Sequence, residues 1–256
     1  MALTCRAAEH FSAVMAFSMR GGGHSPAPFD SLNFFSQGDS RENIRRNFAI
    51  LGAHLNLDPG NILTCRQVHG DRAIIMESRT SAILEADAVL TPATGLFPAV
   101  KTADCLPILL LDPVQRIAGA IHAGWRGTVL RIVKKVLDIM NRDFGSEPRD
   151  LIATLGPAIG PCCYEVDDTV LAPFRQAVPK PDRFISVHVS RNSGFRQTPH
   201  LDLTAANRWE LISAGVLESN LHTVDLCTCC GRELLFSHRR DGFRSGRHLA
   251  LVGFRE

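Results

Sequence analysis

Three short motifs place soft or borderline metal ligands at the ends of predicted strands: QVHG at 67–70, TADC at 102–105 and HAGWRG at 122–127. Sites are often assembled at strand ends, because the backbone there is rigid while the tip is open. Imidazole and thiolate both suit Zn²⁺, and three protein ligands leave a fourth position for water or substrate. The motifs therefore indicate a metal site formed by His69, Cys105 and His122.

The same residues also permit chemistry without a metal. Cys105 and His122 would then act as a nucleophile and its base in amide hydrolysis or acyl transfer. Asp104, next to Cys105, is a candidate general acid/base or a residue that orients its neighbour. A metalloenzyme, a cysteine hydrolase and a binding protein with a vestigial site all remain open at this point.

Arginines near these motifs are candidates for binding an anionic substrate. Arg126 follows His122 at a predicted helix start, where the helix N-terminus would assist it. The densest basic cluster lies at 236–247 and includes Arg240 and Arg247. It is interpreted either as a phosphate or carboxylate clamp or as a solvated loop.

The remaining cysteines argue against a second metal site. CTCC at 227–230 has no matching pair at zinc-ribbon spacing, and the adjacent Cys162 and Cys163 suit chelation of one ion poorly. Eight cysteines, scattered or crowded in a long chain without a recognisable signal segment, do not suggest a disulfide framework. We therefore expect free thiols and a cytoplasmic location.

Composition and charge describe an ordinary globular protein. The 256 residues include 28 Lys+Arg and 26 Asp+Glu, for a net charge of +2. This balance gives no field that would favour nucleic acid or membranes. No uncharged apolar stretch reaches about 18 residues, so we expect no transmembrane helix. Small molecules are the expected partners of a monomer or weak homodimer.

Apolar patterns and turn signals predict the elements that position the motifs. Helices are predicted over 40–55, 128–144 and 204–214. Strands are predicted over 62–68, 72–76, 87–90, 106–111, 117–121, 151–155, 221–226 and 248–252. The first two strands are expected to form a hairpin that delivers His69. Alternating and continuous apolar strands mixed with helices predict an α/β or α+β layered fold with mixed sheets.

Several segments together resemble a known family. QVHG at 67–70, TADCLPILL at 102–110, HAGWRGT at 122–128 and LGPAIGPCCYEV at 155–166 are similar to motifs of the laccase-domain family. That family is also called multicopper polyphenol oxidase, peptidoglycan editing factor or purine nucleoside phosphorylase-like. Similarity extends to the segment around Arg20, which matches the family's opening Arg-Gly-Gly element, and to FSHRRDG at 236–242. One departure is His238, where the family usually carries tyrosine.

The resemblance implies a single domain over 1–256, in an α-β-β-α layered arrangement. It implies one zinc ion on His69, Cys105 and His122. The expected catalytic residues are Cys105, Asp104 and His122, with Asp104 as the candidate acid/base for deamination. It also implies phosphorolysis of adenosine, inosine, guanosine and methylthioadenosine, and deamination of adenosine. The expected substrate-binding residues are Arg20, Arg126, Arg240 and Arg247. A Cys-His hydrolase that edits cell-wall peptidoglycan precursors and a polyphenol oxidase are the alternatives.

The histidine pattern bears on the oxidase alternative. A multicopper oxidase needs about ten histidine ligands, largely in His-x-His pairs, because several copper ions must lie close together. The chain has 10 histidines, and no two of them are separated by a single residue. The sequence therefore argues against a three-copper cluster.

Overall fold

The computed structural model describes residues 2–190 and 196–256. The strands are β1 (Ala2–Thr4), β2 (Ala13–Ser18), β3 (Ile62–Leu63), β4 (Ala73–Ile75), β5 (Ala88–Thr91), β6 (Phe97–Thr102), β7 (Leu106–Asp112), β8 (Ile117–Ala123), β9 (Ile152–Leu155), β10 (Ile185–Ser190), β11 (Arg196–Leu201), β12 (Leu221–Thr223) and β13 (His248–Phe254). The helices are α1 (Arg6–Glu9), α2 (Arg41–Leu55), α3 (Trp125–Val129), α4 (Ile132–Phe144), α5 (Asp168–Ala177), α6 (Leu203–Ser213) and α7 (His238–Asp241). Within these ranges no helix has the length and apolar character needed to cross a membrane.

Two large mixed sheets form the centre of the molecule. One has the strand order β1-β2-β13-β6-β3, and the other has the order β12-β9-β7-β8-β5-β4. Each contains antiparallel pairs and at least one parallel pair, namely β3 with β6 in the first sheet and β4 with β5 in the second. The predicted α/β fold with mixed sheets is confirmed.

The sheets stack face to face, and helices cover their outer surfaces. Helix α2 packs on the first sheet through a cluster that includes Val14, Leu51, Leu55 and Leu251. A second cluster, with Phe17, Leu109, Ala118 and Val252, fills the space between the sheets. Helices α4 and α6 cover the second sheet through a cluster that includes Ile108, Ile121, Val136 and Leu211. The order of layers is therefore helix, sheet, sheet, helix.

The sequence of strand β7 is apolar without interruption because both faces of the strand are buried. Leu106, Ile108 and Leu110 pack toward the helices, whereas Leu109 and Leu111 pack toward the other sheet. All five are fully buried. Alternate side chains of a strand point to opposite faces, so a strand covered on both faces needs apolar residues at every position. This rigid strand begins directly after Cys105.

The hairpin predicted over 62–68 and 72–76 is wrong. β3 pairs with β6 in the first sheet, whereas β4 pairs with β5 in the second. The intervening loop does not form a tight turn, because the backbone N–H groups of Val68, His69 and Gly70 donate to the carboxylate of Asp87. His69 therefore lies on a loop that crosses from one sheet to the other.

The single helix predicted over 128–144 is two helices. α3 and α4 meet at Arg131, whose φ of 60° is left-handed and interrupts the helical hydrogen-bond pattern. Its guanidinium donates from Nε to Glu210 on α6, 2.6 Å away, which anchors the junction. The earlier start, at Trp125, puts a helix turn immediately after the HAG segment of the proposed site.

His248, at the start of β13, predicts a loss of stability in acid. Burial lowers the pKa of His248 to about 4, and its Nε2 accepts a hydrogen bond from the backbone of Phe236. Below the unfolded-state pKa of about 6.5 the unfolded chain binds the extra proton, so stability falls until the pH reaches the folded pKa. We expect wild-type protein to lose roughly 2 kcal/mol more than His248→Gln between about pH 7 and pH 5.

Urea unfolding of both proteins at the two pH values measures this difference. Glutamine keeps an acceptor oxygen but does not titrate, so other ionising groups affect both proteins alike. Parallel losses of stability in the two proteins would show that His248 is protonated equally well in the folded state.

Candidate metal centre

The three proposed ligands, far apart in sequence, meet at one point. Cys105 precedes β7, His122 lies near the end of β8, and the loop after β3 brings His69 to the same edge. One potential ligand atom from each residue lies within 4.8 Å of the others. The rings of His69 and His122 meet edge to face with centroids 4.7 Å apart. His-Cys-His is a donor set that zinc accepts, and it leaves room for a fourth ligand.

Asp87 holds two of these ligands in place, and sequence analysis did not identify it. Its Oδ1 lies 2.8 Å from His122 Nδ1 and accepts the backbone N–H of His69 at 3.0 Å. Because a carboxylate only accepts, Nδ1 of His122 carries the proton and Nε2 is left for a metal. A charged residue directly before the apolar strand β5 was the signal available in the sequence.

Electrostatics favour the thiolate form of Cys105. Burial would raise the pKa of the Cys105 thiol, but the charge of His122 and hydrogen bonds from His122 and His69 lower it to about 6. Burial would likewise lower the pKa of His122, but Cys105 and Asp87 raise it to about 9. Without a metal, Cys105 and His122 therefore form a thiolate–imidazolium pair. The thiolate is the form in which cysteine binds a metal.

The backbone around the ligands is unusual in two ways. His69 and Asp104 have left-handed φ values of 57° and 93°, which non-glycine residues adopt rarely and mostly at functional sites. A Cβ on Gly124 would lie 3.1 Å from Cys105 Sγ and 3.3 Å from His69 Nδ1. A side chain there would crowd the ligands, so glycine provides the space that they occupy.

Asp104 is committed to local structure. One oxygen accepts from the hydroxyl of Thr228 and the other from the backbone N–H of Arg239, both at 2.6 Å. Its backbone oxygen accepts from Ile159. The carboxylate thus joins the TADC segment to the loop of Thr228 and to helix α7, which matches an orienting role; its catalytic role stays a prediction.

The four predicted substrate-binding arginines separate into two groups. Among the described residues, Arg247 lines the cavity over the site, whereas Arg20, Arg126 and Arg240 do not. Arg20 is bound to Asp30, and Arg126 is exposed over the ring of Trp125. Arg240 uses both terminal nitrogens and Nε on backbone carbonyls and Asp241. Arg239, which was not selected from the sequence, does line the cavity.

The ligands lie in the wall of a cavity of about 740 Å³. This volume is in the range of sites that enclose small organic molecules. Aromatic side chains line it at Phe35, Trp125 and Tyr164. Cationic side chains line it at Arg66, Lys101, Arg239 and Arg247. The cavity thus offers flat apolar surfaces, positive charge and a candidate metal group in one space.

Comparison with known proteins identifies relatives along nearly the whole chain. Purine nucleoside phosphorylase YlmD of Geobacillus stearothermophilus is 35% identical over 99% of this chain and 94% of its own length. Its crystal structure superposes with a TM-score of 0.86 at 34% identity, covering 96% of this chain and 93% of that one. Adenosine deaminase RL5, from an unknown prokaryotic organism, is 36% identical over 77% of this chain and 76% of its own length.

A family profile matches residues 14–255. That range contains the three candidate metal ligands, Asp87 and the cavity. The resemblance seen in the sequence motifs is thereby confirmed, and the protein belongs to the family described as multi-copper polyphenol oxidoreductase laccase.

Proposed function

We propose that this protein is a zinc-dependent purine nucleoside enzyme that carries out phosphorolysis of purine nucleosides and deamination of adenosine. The observation that carries the proposal is the cavity in which His69, Cys105 and His122 lie beside aromatic and cationic side chains. The names of the relatives, purine nucleoside phosphorylase and adenosine deaminase, point to the same substrates.

The zinc would be held by His69, Cys105 and His122, and when bound it would supply Lewis-acid chemistry and activate water. Asp87 orients His122 through Nδ1, so that Nε2 is available, and fixes the backbone of His69. These contacts set the ligand geometry before the metal arrives. Two histidines and one thiolate give a donor set that suits zinc.

Aromatic walls would hold the purine base. Tyr164 belongs to a buried apolar cluster, and the partly buried Trp125 packs against the same cluster. They also line the cavity, as does Phe35. Stacking on such rings binds a flat base and contributes about 1–3 kcal/mol per base in nucleic-acid complexes.

Phosphorolysis requires a site for phosphate, and Arg247 is the best placed of the predicted arginines. Its NH1 donates to the carbonyls of Ser245 and Gly246. In the part of the chain that the structure describes, its Nε and NH2 donate to no protein group, which leaves them for an anion. Burial lowers the pKa of Arg247, while the charges of Asp104 and Cys105 raise it.

Arg247→Ala is therefore expected to raise the KM for phosphate by at least about tenfold, because a buried charged hydrogen bond is worth about 1.5–3 kcal/mol. The KM for the nucleoside should change much less. Steady-state kinetics with each substrate varied in turn measure both constants. Arg45→Ala, on the exposed face of α2, is the control. Equal changes in both constants for Arg247→Ala would assign it a structural role.

A cysteine hydrolase that edits cell-wall precursors is a second candidate, and the Cys105–His122 pair favours it. Without a metal, the lowered pKa of Cys105 and the raised pKa of His122 describe an activated nucleophile beside a charged acid. The two candidates predict opposite behaviour of Cys105 toward alkylating reagents.

The polyphenol oxidase alternative receives less support from the donor groups. The described residues, 2–190 and 196–256, contain two clusters of side chains that could hold a metal, and only one of these clusters contains histidine. Several coppers held by imidazole would need more histidines in one place.

A further inference from the structure

Four cysteines outside the cavity converge at a second point. Cys230 Sγ lies 3.6 Å from Cys162 Sγ and 3.4 Å from Cys163 Sγ. Together with Cys227, all four sulfurs lie within 4.8 Å of one another. The adjacency of Cys162 and Cys163 argued against chelation in the sequence, but both side chains reach the same sulfur of a loop 67 residues away.

Backbone contacts hold the two cysteine loops together. The loop after β9 and the loop after β12 run parallel, with Ala158 opposite Cys227. The N–H of Thr228 donates to the carbonyl of Ala158 at 3.0 Å. The N–H of Gly160 donates to Cys227 Sγ at 3.3 Å, the kind of bond that stabilises a thiolate. The sulfurs are therefore brought together by the fold itself.

The spacing fits one tetrahedral ion. Zn–S bonds of about 2.3 Å separate the sulfurs of a tetrahedral site by about 3.8 Å, close to the distances from Cys230. Cys227 and Cys230 have the two-residue spacing common in structural zinc sites. All four cysteines are free thiols, and those at 162 and 230 are exposed, so an ion can reach them from solvent.

We infer that Cys162, Cys163, Cys227 and Cys230 bind a second zinc ion in a four-sulfur structural site. This inference is independent of the proposed function, since none of these residues lines the cavity among the described residues. Four protein ligands leave no open position, so the ion would be structural rather than catalytic. It raises the expected zinc content from about one to about two ions per chain.

The position of the site suggests what the ion stabilises. Both loops also contact Asp104, through the N–H of Ile159 and the hydroxyl of Thr228. Tyr164, in the cavity wall, follows directly after Cys163. An ion between the loops would join them at their outer side, as Asp104 joins them at the inner side.

Zinc content of purified protein tests the inference. The protein is produced in zinc-supplemented medium, kept reduced and measured by mass spectrometry of metals. We expect about two zinc ions in wild type, about one in Cys230→Ser and about two in the control Cys5→Ser, whose thiol lies outside both clusters. Cys105→Ala is expected to retain about one ion, which belongs to the four-sulfur site.

The X-ray absorption spectrum of the zinc that remains in Cys105→Ala tests the inference even if Cys230→Ser does not fold. Four sulfur neighbours at about 2.3 Å, without nitrogen, are the expected result. Nitrogen in that spectrum, or no zinc in folded Cys105→Ala, would overturn the inference. The inference would also be overturned if wild-type protein, freshly purified without reductant, carried only one zinc ion and a disulfide between two of these four cysteines. The difference in zinc content between wild type and Cys105→Ala tests the site of His69, Cys105 and His122 separately.

Discussion

His122→Ala is expected to remove about one zinc ion per chain and to lower kcat/KM for adenosine by about a thousandfold or more. The variant loses one of the three proposed metal ligands and leaves the buried carboxylate of Asp87 without its imidazole partner. His69→Ala and Cys105→Ala should lose the same ion. Metal analysis and steady-state turnover of each purified variant measure both effects.

Two further variants sharpen this result. Asp87→Asn keeps all three ligands but weakens their orientation, and loss of such an outer contact typically costs 10–100-fold in metal affinity or activity. His54→Ala, on the exposed end of α2, is the matched control and should retain zinc and turnover. If any two of the three ligand variants kept the full zinc content of wild type, the metal assignment would be abandoned.

Alkylation of Cys105 should be slow in the isolated enzyme and fast after a chelator removes the metal. A thiolate bound to zinc is shielded, whereas the metal-free thiolate beside His122 is reactive near neutral pH, because His122 holds the pKa of Cys105 at about 6 against the effect of burial. Iodoacetamide labelling followed by peptide mass mapping gives the rate at Cys105 directly. Labelling should increase in step with the loss of adenosine turnover.

The cysteine-hydrolase alternative predicts the reverse. Cys105 would then be labelled rapidly in untreated, active protein, and complete removal of zinc would not affect turnover. The variant His122→Asn also distinguishes the two hypotheses. It should lower the zinc occupancy of a metalloenzyme, whereas in a cysteine hydrolase it should lower only the reactivity of the Cys105 thiolate. Cys65 serves as an internal reference, because burial raises its pKa to about 11 and it should label slowly throughout.

Much of the fold was predictable from local patterns. The apolar runs that became β7 and β8 are buried on both faces, and continuous hydrophobicity reports such burial directly. The predicted helix over 40–55 is present as α2, with Ser40 as its N-cap. Pairing was less predictable: neighbouring strands over 62–76 suggested a hairpin, but the contact that prevents it comes from Asp87, further along the chain.

The candidate site was predictable to the extent that its chemistry is carried by residue type. Histidine and cysteine at strand ends stand out, so His69, Cys105 and His122 could be selected together. Arginines do not separate in this way, because a guanidinium that binds carbonyls and one that faces a cavity look alike in sequence. Arg240 and Arg247 both donate to backbone carbonyls, but of the two only Arg247 also lines the cavity.

The four-cysteine cluster shows a different limit. Sequence spacing predicts chelation only when the ligands come from one short segment, as in the Cys-x-x-Cys pair at 227 and 230. Here the other two sulfurs come from a loop that becomes a neighbour only because β9 and β12 pair in parallel. No local sequence pattern predicts that β9 and β12 pair.

The hydrogen bonds to the carboxylate of Asp87 would allow the folded protein to take up a metal quickly. It accepts hydrogen bonds from the backbone of the His69 loop and from the ring of His122, so the His122 imidazole and the backbone that carries His69 are ordered as soon as the chain has folded. The conformational entropy of the His122 side chain and of the His69 backbone is therefore lost during folding and would not be lost again during metal binding. Loading of the proposed site would then require only diffusion of the ion into an open cavity and release of the protons that it replaces. An emptied site would consequently be refilled in the native state, without passing through an unfolded chain.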